Sequence, residues 1–303
     1  MLDILTRAGC FIAIIILGFV LRRIGFFKEN AFELLSKIVI KVTLPAAIVK
    51  SFSGTTFDSS MLVLIGLGFG GGVVYALVAY LVNLKKPKEQ RAFDVLNLPG
   101  YNIGVFALPF ISGFLGPVGV VATSVFDTGN AFVCLGGTYG VASTIKAGSG
   151  FSFKRILKTL MTSVPFLFYI MMMLLALLRL RLPDPVLEFA NIVSSGNSFL
   201  AMLMIGVGFK VEAKREQLGH LVKIVVMRYT IAAVVAAVFY FLLPLSLEVR
   251  KTLVLLAFAP IGAAVPGFTA ELKEDVGLSS AINSVCIVIS IIIMVVLLAV
   301  MQG

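Results

Sequence analysis

LNLPGYNIGVFALPFISGFLG, residues 96–116, is placed where an apolar membrane-spanning segment is expected, yet it carries Pro99, Gly100, Asn102, Gly104 and Pro109. Each proline removes a backbone donor and clashes with the turn before it, so the run does not read as one continuous helix. Backbone groups freed in this way are tolerated inside protein or beside a water-filled cavity, never against lipid. A second interrupted segment, LAFAPIGAAVPGFT at 256–269, contains Pro260, Gly262, Pro266 and Gly267. Pro260 follows Pro99 by 161 residues and Pro266 follows Pro109 by 157, about half the chain. Broken segments at corresponding places in two halves point to the binding site of a transporter.

The composition agrees. Hydrophobic residues make up 59% of the chain, charged residues 13%, and the mean hydropathy is +1.07, far from a soluble globular domain. The 303 residues leave room for about ten spans of roughly 20 residues each. A net charge of +10 raises nucleic acid as a partner, but the basic residues fall in short loops between apolar runs, the pattern of membrane orientation. Cys10, Cys134 and Cys286 each lie alone in apolar segments, which indicates neither disulfides nor a metal cluster. With His220 as the only histidine, a metalloenzyme or Ser/His hydrolase has little raw material, and no cofactor is expected.

Outward from the first break, spans are expected at 4–21, 30–52, 61–82, the broken fourth, and 118–139, then at 156–178, 186–209, 221–243, the broken ninth, and 279–301. The first is expected to be retained, because Asp3 precedes its core, Arg22 and Arg23 close it, and a small-residue cleavage site is missing. Glycines 66–72 in the third span would allow close helix packing. The polar loop 146–155 marks the midpoint, dividing the chain into 1–150 and 151–303. Five spans per half, with breaks in the fourth of each, describe two repeats of opposite orientation. LRRIGFF at 21–27 and LRLRLPD at 178–184 echo each other at matching ends.

Lysine and arginine set the orientation. The loops after odd-numbered spans hold sixteen: Arg22, Arg23, Lys28, Lys85, Lys86, Lys88, Arg91, Lys146, Lys154, Arg155, Lys158, Lys210, Lys214, Arg215, Lys223 and Lys273. The other side holds six: Arg7, Lys50, Arg179, Arg181, Arg250 and Lys251. The richer side is expected to be cytoplasmic, with both termini outside a cell membrane.

GYNIGVFALPF at 100–110 followed by FLGPVG at 114–119 resembles the Asn-x-Gly-x-x-x-x-Pro crossover of the auxin efflux carrier family. FAPIGAAVPGFTAELKEDVG at 258–277, with SSAINSVCIVIS at 279–290, resembles its second-half counterpart; TLPAAI at 43–48 and MLMIGVGF at 202–209 match its second and seventh helices in character. The resemblance implies an all-α integral membrane fold of ten helices in two inverted five-helix repeats, like bile-acid symporters and sodium/proton antiporters. Helices four and nine would be broken and cross near the midplane. It also implies transport of small organic anions, auxin-like or dicarboxylate such as malate.

The residues suggest a site at the same place. N-terminal ends of half-helices offer partial positive charge and free amides to a carboxylate. Asn102 would add a donor or hold the crossover together; Pro109, Pro260 and Pro266 would make the gap; Gly104 would line it or pack a helix; Thr43 belongs to the same substrate set. Asp127, about 13 Å into its helix, is expected to carry the coupling proton or sodium ion, with Asn130 one turn on, unless it is a structural partner for a basic residue. Lys41 and Arg228 are the charge partners, attracting the anion, pairing with Asp127, or snorkelling. Ser195 and Asn197, in the polar run SSGNSF at 194–199, would line the cavity opposite the crossover or pack helices. Met171, Met172 and Met173 are expected to face lipid or pack. The expected activity is secondary active transport by alternating access, in a lipid bilayer and without nucleic acid, with a second copy of the chain as an open partner. A channel-like or sensory membrane protein is the alternative, distinguished by saturable flux and counterflow.

Overall fold

The computed structural model describes residues 2–28, 30–53, 59–147, 152–210 and 213–302. The midpoint and the boundary between 150 and 151 fall on 148–151, outside them. Among the described residues all regular structure is helical. In chain order the helices are α1 (Leu2–Arg23), α2 (31–53), α3 (Ser59–Val82), α4 (Lys88–Asn97), α5 (Ile103–Phe114) and α6 (Pro117–Lys146). The second half continues with α7 (Phe153–Thr162), α8 (Val164–Leu177), α9 (Asp184–Gly208), α10 (Arg215–Phe241), α11 (Leu247–Ala257), α12 (Val265–Glu271) and α13 (Val276–Gln302). Six of these, α1, α3, α6, α9, α10 and α13, are long and apolar enough to cross a membrane, and α7 and α8 reach that length and apolarity only when taken together as one bent span.

Local sequence explains most ends. After Arg22 and Arg23, Gly25 adopts φ +81° and Phe26 N–H closes on the Leu21 carbonyl, which stops α1. Arg22 reaches the Val207 carbonyl at 2.7 Å and so caps the end of α9. The expected single span at 156–178 is instead two helices, α7 and α8, meeting at 77°. Ser163 is extended there and Pro165 opens α8, where its missing donor costs nothing.

Two sets of helices pack mainly among themselves. α1, α2, α8 and α9 form one; α3, α4, α6, α10, α11 and α13 form the other. Each set has a crossing close enough for backbone to touch backbone. A Cβ on Gly206 would run into the Ile15 carbonyl of α1, and one on Gly129 into the Ile65 carbonyl of α3. Small residues at such crossings replace the hydrophobic drive that lipid does not supply. The glycine patch of α3 packs as its composition suggests, with Gly68 on the backbone of Phe126 and Gly72 on Val133.

Three helices contain one wide, π-type turn each, at 39–43 in α2, 103–107 in α5 and 133–137 in α6. Such single turns cost hydrogen-bond geometry and are frequent at functional sites. All three border the same cavity.

Candidate functional site

The chain breaks twice in the protein interior. α4 ends when Leu98 N–H closes on the Asp94 carbonyl, and Pro99 prevents continuation. Gly100 takes φ +79°, a conformation that costs other residues roughly 1–2 kcal/mol. α11 ends at Ala257, and 258–264 runs on without helix to α12. The two breaks touch: Asn102 N–H donates to the Pro260 carbonyl at 2.8 Å.

Buried backbone in a break needs partners, and two side chains supply them. Asn130 accepts from Tyr101 N–H at 3.0 Å and donates to the Tyr101 carbonyl at 2.8 Å, as a neighbouring strand would. Arg228, 1% exposed, donates to the carbonyls of Leu98 (2.6 Å), Gly100 (2.9 Å) and Ala259 (2.6 Å). One guanidinium thus joins the C-terminal ends of α4 and α11, where the helix dipoles are negative. The rings of Tyr75 and Tyr101 lie 5.2 and 5.8 Å from it.

On the other side of the breaks, at the N-terminal ends of α5 and α12, lies a cavity of about 150 Å³. Asn102, Gly104, Asp127, Asn130, Cys134 and Tyr169 are among its lining residues, with apolar Ile40, Leu44, Val105 and Phe166. Both Asp127 oxygens accept hydrogen bonds, from Asn130 Nδ2 at 2.8 Å and from the Tyr169 hydroxyl at 2.9 Å. Neither donor is charged. A Cβ on Gly104 would stand 3.0 Å from Leu44 and 3.5 Å from Asp127, so glycine there keeps the carboxylate open to the cavity.

Several residues singled out from sequence lie elsewhere. Pro109 and Pro266 do not sit in the gaps: Pro109 lies inside α5, directly after its wide turn at 103–107, and Pro266 lies in the first turn of α12, where proline is well suited. The gaps are made by Pro99–Gly100 and by the stretch around Pro260. Arg228 bonds backbone carbonyls rather than Asp127, because burial between the breaks gives it three strong acceptors and no route to solvent. Lys41 is exposed. Thr43 donates to Asn197 Oδ1 at 2.8 Å, pinning α2 to α9. Asn197 and Ser195 line a second, wider cavity of about 620 Å³ with Lys50, Ser112, Asn191 and Ser198. The Ser195 hydroxyl is spent on the Ile192 carbonyl. Met172 and Met173 are buried and Met171 is exposed.

Sequence reasoning missed Tyr169, a lone tyrosine in an apolar run, and Tyr101, which stands between Gly100 and Asn102 of the first break. It also missed a polar cluster in which fully buried Asp94 meets His220 Nε2 at 2.5 Å and Lys223 Nζ at 3.0 Å, while Lys223 donates to Asn83 at 2.6 Å. His220 and Lys223 are one turn apart, a signal that would have found half of it.

Residues 10–148 match the model of a family described as membrane transport protein. The match covers the first break, Asp127, Asn130 and Cys134, and so takes in most of the residues that line the cavity. An uncharacterized transporter of Methanocaldococcus jannaschii is 25% identical over 211 residues, 66% of this chain and 67% of that protein. Both comparisons are with transport proteins rather than enzymes, and with the apolar helices they describe a multi-pass integral membrane protein.

Proposed function

We propose that the protein is a secondary active transporter that carries small organic anions across the cell membrane by alternating access, with substrate held where the two breaks meet. The observation that carries this reading is the contact of Asn102 with Pro260 above a cavity containing Asp127. On this reading the chain has ten spans in two inverted repeats, 1–150 and 151–303, with α4–α5 and α11–α12 as the crossing broken spans.

The chemistry follows from the surroundings. Lysine and arginine are absent from the described cavity lining, so a substrate carboxylate relies on half-helix amides and side-chain donors such as Asn102. Asp127 shares the same small volume. Two carboxylates so close repel strongly, and one must be neutralised. A proton or sodium ion on Asp127 therefore enters with the anion, which couples uptake of one to the gradient of the other. Arg228 keeps the opposite ends of the half-helices closed whichever way the cavity faces.

The test is flux of labelled mono- and dicarboxylates into proteoliposomes under imposed proton or sodium gradients. Saturable uptake with counterflow is expected. Asp127→Asn should abolish gradient-driven accumulation and retain exchange, because the amide mimics only the neutralised state. Non-saturable flux, or no flux, would favour the channel-like or sensory alternative. Unchanged accumulation in Asp127→Asn would move coupling away from this residue.

A further inference from the structure

The ten-residue helix α7 presents a pattern that neither the crossover nor the cavity uses. At about 3.6 residues per turn, Phe153, Leu157 and Met161 form one stripe. They are 62%, 44% and 51% exposed. Ile156 and Leu160 border one edge of the stripe and are buried in a cluster with Ala131 and Phe166, which fixes how the helix is rolled. Lys154 and Lys158 border the other edge, exposed and without an ion pair among the described residues. Arg155 is already committed, to Glu271 of α12 at 2.6 Å and over the Tyr139 ring at 4.3 Å.

A large apolar stripe next to free lysines is unfavourable in water and well suited to a bilayer surface. There the stripe enters the acyl boundary and the lysine stems bury while their charges meet headgroups. The 77° bend supplies the orientation: if α8 crosses the membrane, α7 runs close to its plane. The exposed face continues past the bend through Leu167, Met171 and Leu174 of α8, so one apolar surface turns the corner from interface to bilayer interior.

We infer that α7 is an interfacial helix that docks on an anionic lipid surface, with Phe153, Leu157 and Met161 inserted and Lys154 and Lys158 on the headgroups. Its neighbours give the docking a route to the cavity: Ser163, Pro165 and Phe166 line it, and Arg155 holds α12.

Two measurements on the full-length protein test this. In vesicles of phosphatidylcholine mixed with phosphatidylglycerol, spin labels on Phe153→Cys, Leu157→Cys and Met161→Cys, introduced with Cys10, Cys134 and Cys286 replaced by alanine, should collide with oxygen more than with a water-soluble nickel chelate. A label on Thr162→Cys should show the reverse. Stripe labels open to the chelate, or shielded from both probes as by a protein partner, would overturn the proposal. The second measurement keeps the natural cysteines and titrates phosphatidylglycerol by native mass spectrometry. A lysine at an anionic surface is worth about a five-fold preference, so Lys154→Gln/Lys158→Gln should weaken phosphatidylglycerol binding about 25-fold. Lys154→Arg/Lys158→Arg should leave it near wild type. Equal binding by the glutamine variant would overturn the assignment of the headgroup contact.

Discussion

Arg228 brings a full positive charge into an apolar interior where, among the described residues, no carboxylate meets it. Its compensation comes from backbone: three carbonyls at the C-terminal ends of two half-helices, each end carrying partial negative charge. Leaving those carbonyls unsatisfied costs roughly 1–3 kcal/mol apiece. Arg228→Met is therefore expected to destabilise the protein by on the order of 3 kcal/mol or more, read as a fall in thermal midpoint in detergent. Arg228→Lys should lose less, since one ammonium keeps the charge but cannot fork to three acceptors. A methionine variant as stable as wild type would mean that water serves these carbonyls. Asp275 is the converse case, an anion at a helix N-terminus. Its Oδ1 accepts from Leu278 N–H at 2.8 Å and its Oδ2 from Gln217 at 2.5 Å, and the backbone bond, followed by the Gln217 bond and nearby Lys214, holds its carboxyl below the usual carboxylate range. A folded-state value below the unfolded one contributes stability above the unfolded pKa, about 3.9, and that contribution is lost as pH falls through the lower folded value. Asp275→Ala should cost about 1 kcal/mol at neutral pH as a lost cap, lessened by exposure. The gap to wild type should narrow below about pH 4; a gap that stays constant with pH would show that the charge is not what caps α13.

The broken elements depend on residues that act locally, which is why they were legible. Proline and glycine change the backbone at their own positions whatever surrounds them, so the runs 96–116 and 256–269 announced interruptions. Where in each run the gap falls was less legible: Pro109 reads as a break, yet it lies inside α5 directly after the wide turn at 103–107, and the gap falls at Pro99–Gly100 instead. Gly100→Ala must place a Cβ at φ +79° and against the Cys134 sulfur, so it should destabilise by more than about 1 kcal/mol. Adding Cys134→Ala should recover only the steric part. Pro109→Ala should leave stability and ligand binding near wild type. Thermal midpoints of the three variants, with carboxylate binding alongside, check this; a benign Gly100→Ala would place the strain elsewhere. The three π-type turns left no local mark, since side chains such as Val39, Ile103 and Val133 serve equally in an α-helix. The Arg228 contacts were hidden for another reason: they join residues up to 130 positions apart.

At the scale of the molecule, the cavity lies where the two packing sets meet. Asn102, Asp127, Asn130 and Cys134 come from broken or bent elements of the larger set, and Ile40, Leu44 and Tyr169 from α2 and α8 of the smaller. Relative motion of the sets would part Tyr169 from Asp127 while the Asp94 cluster keeps α3, α4 and α10 together. Such motion serves transport only if the two faces of the cavity open to opposite sides of the membrane, and that requires the proposed ten-span topology. The structure brings polar and charged residues of one expected side close to each other: Lys146 pairs with Glu274 at 2.5 Å, Arg155 with Glu271, and Gln217 donates to Asp275. These join the links after spans five, seven and nine, three of the loops counted on the basic side of the sixteen-to-six bias. All three should therefore be cytoplasmic. Reporters that are active only on one side, fused after Gln302 or inserted between Lys146 and Arg155, should give opposite signals, with the inserted reporter cytoplasmic and the fused one outside. An insertion in the 179–183 loop should match the fused reporter. If the 146–155 insertion and the C-terminal fusion report the same side, the chain crosses the membrane an even number of times between them, the repeats are not inverted, and alternating access around this crossover fails with them.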